Sequence, residues 1–273
     1  MPLVSVVIPS YNSSTFLKDS IESIVNQSYG NIEIILIDDG STDDTEQVVS
    51  NLKLKALNLF YFKKTNGGIS SALNFGVEQS KGYYIARMDS DDVSDINRIM
   101  RQVEFMQNNS NIDLISTSYI TFGNNNENNG VINHPCDPLI IKLLLSYCSP
   151  VCHPAVLAKA NIFKEFKYSS NIAAEDHKLW CEVAESHTIS NLDEPLLLYR
   201  RHNNSLSRKK LRQIRMDTLL TGFKHFWRCK KEISNISLRD MSKNKIKYKN
   251  IKWLPAYFYW FMAKFIYGYK LFL

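Results

Sequence analysis

Short apolar runs and helical periodicities alternate along the first third of the chain. Leu3–Ile8 (LVSVVI) is a near-continuous apolar β run, closed by Pro9-Ser10-Tyr11-Asn12 as a turn. Ser13 or Ser14 can cap the next segment, where Phe16, Leu17, Ile21, Ile24 and Val25 recur at helical spacing. Ile32–Ile37 (IEIILI) is a second buried strand, and Asp38-Asp39-Gly40-Ser41-Thr42-Asp43 follows at once. Thr42 or Asp43 can cap a helix running to about Leu57. Leu59–Phe62 is a third strand, Asn66-Gly67-Gly68 a turn, and Ile69–Ser80 a helix. Tyr83–Ala86 (YYIA) is a fourth strand, running into Met88-Asp89-Ser90-Asp91-Asp92. Such alternation predicts a parallel, doubly wound α/β sheet.

Beyond the acidic cluster the pattern predicts a helix over Ile96–Asn108, a strand over Asp113–Phe122 and a polar loop at Asn124–Asn129. Pro138–Tyr147 and Ala173–Ala184 carry helical periodicity, the second with Glu175-Asp176 in its opening turn. Pro195–Tyr199 reads as a further strand, leading to Arg200-Arg201-His202.

Charge divides the 273 residues unevenly. Residues 1–200 carry a net −9 and residues 201–273 a net +15, so the overall +6 hides a basic tail that suits an anionic partner. Within it, Ser207–Lys231 is amphipathic, with Leu211, Ile214, Leu219, Phe223 and Phe226 set among Arg208, Lys209, Lys210, Arg212, Arg215, Lys224 and Arg228. Five more lysines in Lys243–Lys252 precede the aromatic segment Trp253–Met262, and Pro255, Lys264, Gly268 and Lys270 interrupt the end of the chain. A membrane span needs about 20 predominantly apolar residues, which this segment does not supply. Aromatic residues flanked by lysines are what an interfacial helix presents to anionic lipid. A helical lid packed on the rest of the chain is the competing reading. No nucleic-acid-binding motif is present. The five cysteines follow no disulfide framework, and Cys148-x3-Cys152-His153 has no second ligand pair, so they read as structural thiols. With no basic leader before the first strand, the expected compartment is the cytoplasm.

The candidate chemistry sits at strand ends, where open α/β sheets bind ligands. No G-x-G-x-x-G follows the first strand and no G-x-x-x-x-G-K-[ST] occurs, which excludes a dinucleotide fingerprint and a P-loop. Tyr11 could stack on a base, while Asp38 and Asp39 could accept from a base N–H or a ribose hydroxyl; the same aspartates also read as a turn and cap. Asp89 and Asp91 form a D-x-D step that can share Mg²⁺ or Mn²⁺ with a phosphate oxygen, and it too reads as a helix N-terminus.

Six blocks in order turn these alternatives into a pattern: PSYN, IDDGSTDDT, NGGISSALNFG, ARMDSDD with Arg98 just beyond, AAEDHKLW and YRRHNNSLS. Over residues 3–206 the chain resembles family 2 glycosyltransferases. The resemblance implies a GT-A fold (Rossmann-like, with a mainly parallel sheet flanked by helices), a nucleotide-sugar donor, a divalent cation (Mn²⁺ or Mg²⁺) and an inverting transfer. It implies a catalytic domain over 1–206, with a nucleotide-binding half at 1–92 and an acceptor-side half at 93–206, and leaves 207–273 as a basic helical tail. By position, Pro9, Tyr11, Asn12, Asp38, Asp39, Asn66, Gly68, Asp89 and Ser90 match the nucleotide site, uracil being the usual base. Asp91 matches the metal ligand, with Asp89 beside it facing ribose or donor sugar. Asp176 matches the general base, with Glu175 next to it, and Arg200 and His202 match the diphosphate side. Many relatives carry Arg where Leu73 stands, so that helix offers no such phosphate contact here. Family and tail together imply a UDP-sugar donor, a glycan or polyprenyl-diphosphate-linked acceptor in bacterial surface-polysaccharide assembly, and peripheral attachment to the inner face of the plasma membrane. The alternatives are an inactive nucleotide-sugar-binding scaffold and a nucleotidyltransferase; the latter would need a Gly-rich basic loop that PSYNSS does not provide.

Overall fold

The first two strands are buried along their whole length, which is why they read as unbroken apolar runs: β1 (Val4–Ser10) and β2 (Ile32–Asp38) expose none of their residues. The computed structural model describes residues 1–53, 58–123, 130–202, 210–249 and 251–270. Its elements are β1, α1 (Leu17–Val25), β2, α2 (Thr45–Lys53), β3 (Leu59–Lys63), α3 (Ile69–Gln79), β4 (Tyr84–Arg87), β5 (Val93–Ser94) and α4 (Arg98–Asn108). Then come β6 (Leu114–Gly123), β7 (Val131–Ile132), α5 (Pro138–Leu144), a 3-10 turn at His153–Ala155, β8 (Leu157–Lys159), α6 (Ala160–Glu165), α7 (Glu175–Ser186) and β9 (Ile189–Arg201). Three helices close the chain: α8 (Leu211–Ser234), α9 (Leu238–Lys247) and α10 (Trp253–Lys270).

The strands form one sheet in the order β3-β2-β1-β4-β8-β6-β9-β5, with β7 on the side of β6. β1 pairs in parallel with β2 on one side and β4 on the other. The strand order therefore reverses at β1, and the carboxyl ends of β2, β1 and β4 flank the crevice where such sheets take their ligands. One apolar core joins α1, α2 and α4 to the sheet, and a second joins α3, α6 and α7 to its other face.

Several boundaries differ from the sequence pattern. Pro9 and Ser10 belong to β1, paired with Ile37 and Asp38, and the turn begins only at Tyr11. Neither Ser13 nor Ser14 caps α1, which starts at Leu17 without a side-chain cap, whereas Asp43 does accept from the Thr45 N–H at 3.1 Å. The expected end of α2 near Leu57 and the loop Asn124–Asn129 lie outside the described residues. The segment Pro195–Tyr199 is the second half of the 13-residue β9. Its first half, ISNLDE, has no apolar run to announce it; parallel pairing with β6, from Leu114–Ile189 to Gly123–Arg201, makes it a strand.

The tail also departs from its pattern. Of the stripe Leu211, Ile214, Leu219, Phe223 and Phe226, only Phe226 is buried, while Leu211, Leu219 and Phe223 are exposed. The buried face of α8 is Gly222, His225, Phe226, Cys229 and Ile233, and it helps form a third core with α5, α9 and α10. Pro255 does not interrupt α10: it lies in the first turn, where its missing N–H would have had no helical partner. Among the described residues no helix is long and apolar enough to cross a membrane.

Leu36, in the second strand, is fully buried in the first core. Leu36→Ala should cost about 2–5 kcal/mol of stability by lost transfer energy and a cavity, read as a lower urea midpoint with an unchanged slope.

Candidate active site

The ends of β1 and β2 are stitched together by an asparagine. Asn12 adopts a left-handed φ of 50°, its Oδ1 accepts from the Thr42 N–H at 2.9 Å, and its own N–H donates to Ser41 Oγ at 2.9 Å. This fixes the loop that carries Tyr11, whose ring is 52% exposed and free to meet a planar partner. Asp39 gathers the loop after β3: its carboxylate accepts from Lys64 Nζ at 2.7 Å and from the N–H groups of Gly67 and Gly68 at 3.0 and 2.7 Å. Gly68 makes this possible with a φ of 82°, and exposed Asn66 stands beside it. Asp38 ends β2. It is fully buried, and its two oxygens accept from the Ser41 N–H and the Tyr61 hydroxyl, both at 2.7 Å. It holds the turn and ties the end of β2 to β3. Pro9 is likewise buried inside β1.

At the end of β4 four charged side chains crowd together. The oxygens of Asp89, Asp91 and Asp92 all lie within 4.8 Å of one another, the one such His/Cys/Asp/Glu group among the described residues. Arg87, buried, ion-pairs with Asp89 from below, and its Nε and Nη1 have no partner. Burial nonetheless pushes Asp89 up to about 6, with the Arg87 guanidinium opposing and the Asp91 charge adding to the rise. Asp92 is held well above the ordinary carboxylate range by burial and by Asp89. Its Oδ1 accepts from the Arg200 N–H at 2.8 Å, while buried Oδ2 has no partner. Ser90 bonds through its hydroxyl to that of Ser13 at 2.8 Å, linking this loop to the end of β1.

The last turn of β9 folds over the cluster. The Arg200 guanidinium lies 4.6 Å from the ring centres of both Phe16 and Phe122, donates through Nε to the Asp91 carbonyl at 2.7 Å, and reaches Asp19 at 3.1 Å. His202 Nε2 is 2.7 Å from Asp91 Oδ2. Three clustered carboxylates, one of them with an orphaned buried oxygen, and an imidazole in contact with Asp91 are a donor set that fits a hard or borderline divalent cation. Mn²⁺ or Mg²⁺ would be held by Asp91, with Asp89, Asp92 and His202 around it.

The second pair of carboxylates comes from the other face of the sheet. Glu175 and Asp176 open α7, which Leu179, Trp180 and Val183 anchor in the second core. Burial first, and Asp176 second, push Glu175 up to about 7. Asp176 accepts from the His177 N–H at 2.7 Å and lies close enough to raise the proton affinity of Asp89. The structure thus brings Asp89, Asp91, Asp92, Glu175, Asp176, Arg200 and His202 around one space. Sequence reasoning placed Asp92 in the acidic cluster without giving it a role and missed Arg87, whose signal was a charge at the end of an apolar strand, YYIAR. The five cysteines are free thiols, and His153 Nε2 lies 3.0 Å from the Tyr168 hydroxyl.

Comparison with known proteins assigns this fold to a class of transferase. Residues 5–167 match Glycosyl transferase family 2, and the chain belongs to that family. An uncharacterized glycosyltransferase of Haemophilus influenzae is 32% identical over 219 residues, covering 76% of this chain and 68% of its own. A Rickettsia bellii glycosyltransferase is 34% identical over 199 residues, but the match spans only 28% of its length. Among solved structures, Staphylococcus aureus TarS in complex with UDP aligns with a TM-score of 0.62 at 21% identity, over 89% of this chain and 69% of that one. Glucosyl-3-phosphoglycerate synthase of Mycobacterium tuberculosis, in complex with Mg²⁺ and UDP, aligns with a TM-score of 0.58 at 17% identity, over 82% of this chain and 79% of that one. The fold is GT-A, and the chain is a glycosyltransferase.

Glu175 gives the site a pH signature. With an ordinary value of 4.5 and a folded value of about 7, the folded protein holds a proton here that the unfolded chain has released. Stability from this group is therefore lost as pH rises from 4.5 to 7, and the penalty is complete above 7. Urea melts of Glu175→Gln across that range should fall less steeply with pH than those of the parent, the difference being greatest above pH 7.

Proposed function

We propose that this chain is an inverting, cation-dependent glycosyltransferase that moves a sugar from a UDP-sugar to a glycan acceptor carried on a lipid, in surface-polysaccharide assembly. The observation that carries the reading is the acidic triad at the end of β4 facing Glu175 and Asp176 across the crevice at β1. Tyr11 and Asp39 lie at the nucleobase end, with Asn12, Asn66, Gly68 and Ser90 forming the loops around them. Asp91 and His202, with Asp89 and Asp92, would hold Mn²⁺ or Mg²⁺, which when bound supplies Lewis-acid stabilisation of the leaving diphosphate.

The chain's own groups do the rest. Asp176 takes the proton of the acceptor hydroxyl as its oxygen bonds to the anomeric carbon. The bond from that carbon to the phosphate oxygen breaks on the opposite side, so an α-linked donor yields a β-glycoside and UDP. Glu175, whose carboxyl is pushed up to about 7 by burial and by Asp176, loses its negative charge beside the base as pH falls below that value. Arg200 keeps the loop of Asp91 and Asp92 in place through its backbone and Nε bonds. Solved neighbours with UDP and Mg²⁺ support the choice of donor and ion.

The tail supports a membrane-side acceptor. On α8, Met216, Leu219, Leu220, Phe223 and Trp227 form an exposed stripe, and on α10 Leu254, Phe258 and Phe261 form another. The surrounding +15 favours anionic lipid over a second copy of the same basic tail. The protein then works peripherally at the cytoplasmic face of the plasma membrane.

Thermal melts with UDP, GDP, dTDP and CDP, each with Mn²⁺ or EDTA, test the donor site, because a ligand bound only to the folded state must stabilise it. A rise with UDP that EDTA removes is expected; no rise with any nucleotide would point to a scaffold. Asp176→Ala should lose about 10²–10⁴-fold in turnover while keeping the UDP shift. Retention of a tenth of the parent rate would refute the base assignment. Phe258→Ser with Phe261→Ser should weaken co-sedimentation with phosphatidylglycerol vesicles, and undiminished sedimentation would exclude α10 as a lipid contact.

A further inference from the structure

Helix α8 runs beside α7 along its whole length. Asp217 Oδ2 accepts from the Ala173 N–H at 2.8 Å, just ahead of α7, and Arg228 Nη1 meets Glu185 at 2.7 Å near its end. The two contacts are separated by 44 and 43 residues, so the helices are parallel and in step. Between them both helices grip the end of α5. His177 Nε2–H donates to the Leu145 carbonyl at 3.0 Å, and His225 Nε2–H to the Lys142 carbonyl at 2.9 Å. Gly222 lets α8 approach this far, since a Cβ there would stand 2.4 Å from the Ser146 carbonyl oxygen.

We propose that α8 is a strut for the catalytic helix, and that Asp217 is a positioning residue that fixes the start of α7 and with it the carboxylate of Asp176. The inference rests on the reading of Asp176 as the base. The Ala173 N–H is two residues before Glu175 and points away from the intrahelical ladder, so a carboxylate from another helix is what holds it. The α7 N-terminus also favours a nearby negative charge. Without this bond the segment just ahead of α7 loses its tie to α8, and Asp176 can drift from the acceptor oxygen. A displacement of about 1 Å in a reacting group can cost about 10²-fold in rate. The donor site, built from β1, β2 and β4, does not depend on it. The stripe Met216–Trp227 lies on the same helix, so the surface proposed to meet lipid and the residue that sets the base are parts of one rigid rod.

The test uses the full chain with Asp217→Ala, with Asp217→Ser, whose side chain is one bond too short, and with Asp217→Asn, whose amide oxygen can still accept. Hydrogen exchange at Ala173, Glu175 and Asp176 should quicken at least about tenfold in the Ala and Ser variants and return towards the parent rate in the Asn variant. Turnover, followed as UDP released from UDP-glucose, UDP-galactose and UDP-N-acetylglucosamine with water as acceptor, should fall about tenfold or more in kcat for Ala and Ser. KM for the donor and the UDP–Mn²⁺ melting shift should stay within about twofold, and Asn should restore kcat. Unchanged exchange at 173–176 in Asp217→Ala or Asp217→Ser overturns the strut. So does a kcat within twofold of the parent when Asp176→Ala is inactive. If Asp176→Ala itself keeps its turnover, the base reading fails, and the exchange arm alone still decides whether Asp217 holds α7.

Discussion

Carboxylate crowding at the end of β4 is the constraint on which the site depends. Asp89, Asp91 and Asp92 are held within 4.8 Å of one another, with Glu175 and Asp176 close by. Their mutual repulsion is relieved by the buried cations Arg87, paired with Asp89, and Arg98, near Asp92, and by protonation wherever burial raises proton affinity. Ser13, Ser20, Arg200 and His202 then fasten the same loop from three other segments, Ser20 through the Asp89 carbonyl at 2.8 Å. A loop held at this many points keeps its charges in register before any ligand arrives, which is the preorganisation that electrostatic stabilisation of a leaving group requires.

Much of this was legible in the chain. β1 and β2 are sheathed on both faces, so burial left an unbroken apolar record, and the residues that follow each of them are polar because they line the crevice. The family pattern located Asp89, Asp91, Asp176 and His202 in the space where the structure brings them together. Asp38 and Asp39 show the limit. Two adjacent aspartates are identical as letters, yet strand alternation turns one into the sheet, bonded to Tyr61, and the other towards Gly67 and Gly68. Nothing in IDDG tells which is which without the pairing.

The tail was hardest to read because its apolar residues serve two surfaces. Helix α8 has one stripe through Gly222, Phe226, Cys229 and Ile233 against the third core and another through Leu219, Phe223 and Trp227 facing outward. A single-stripe reading mixes them. Small and polar residues, Gly222 and His225, mark the true inner face because a close approach to α5 needs little bulk and a donor for its terminal carbonyls.

The reach of Arg200 across 108 residues to Asp92 sets a timetable as well as a geometry. On a ribosome the acidic loop is synthesised 108 residues ahead of the arginine that fastens it. Only when β9 has threaded in beside β6 does the Phe16–Arg200–Phe122 sandwich close over it. Until then the growing chain carries the acidic loop without its contacts to Arg200 and His202, so the last fastenings arrive late, with the last strand to be made.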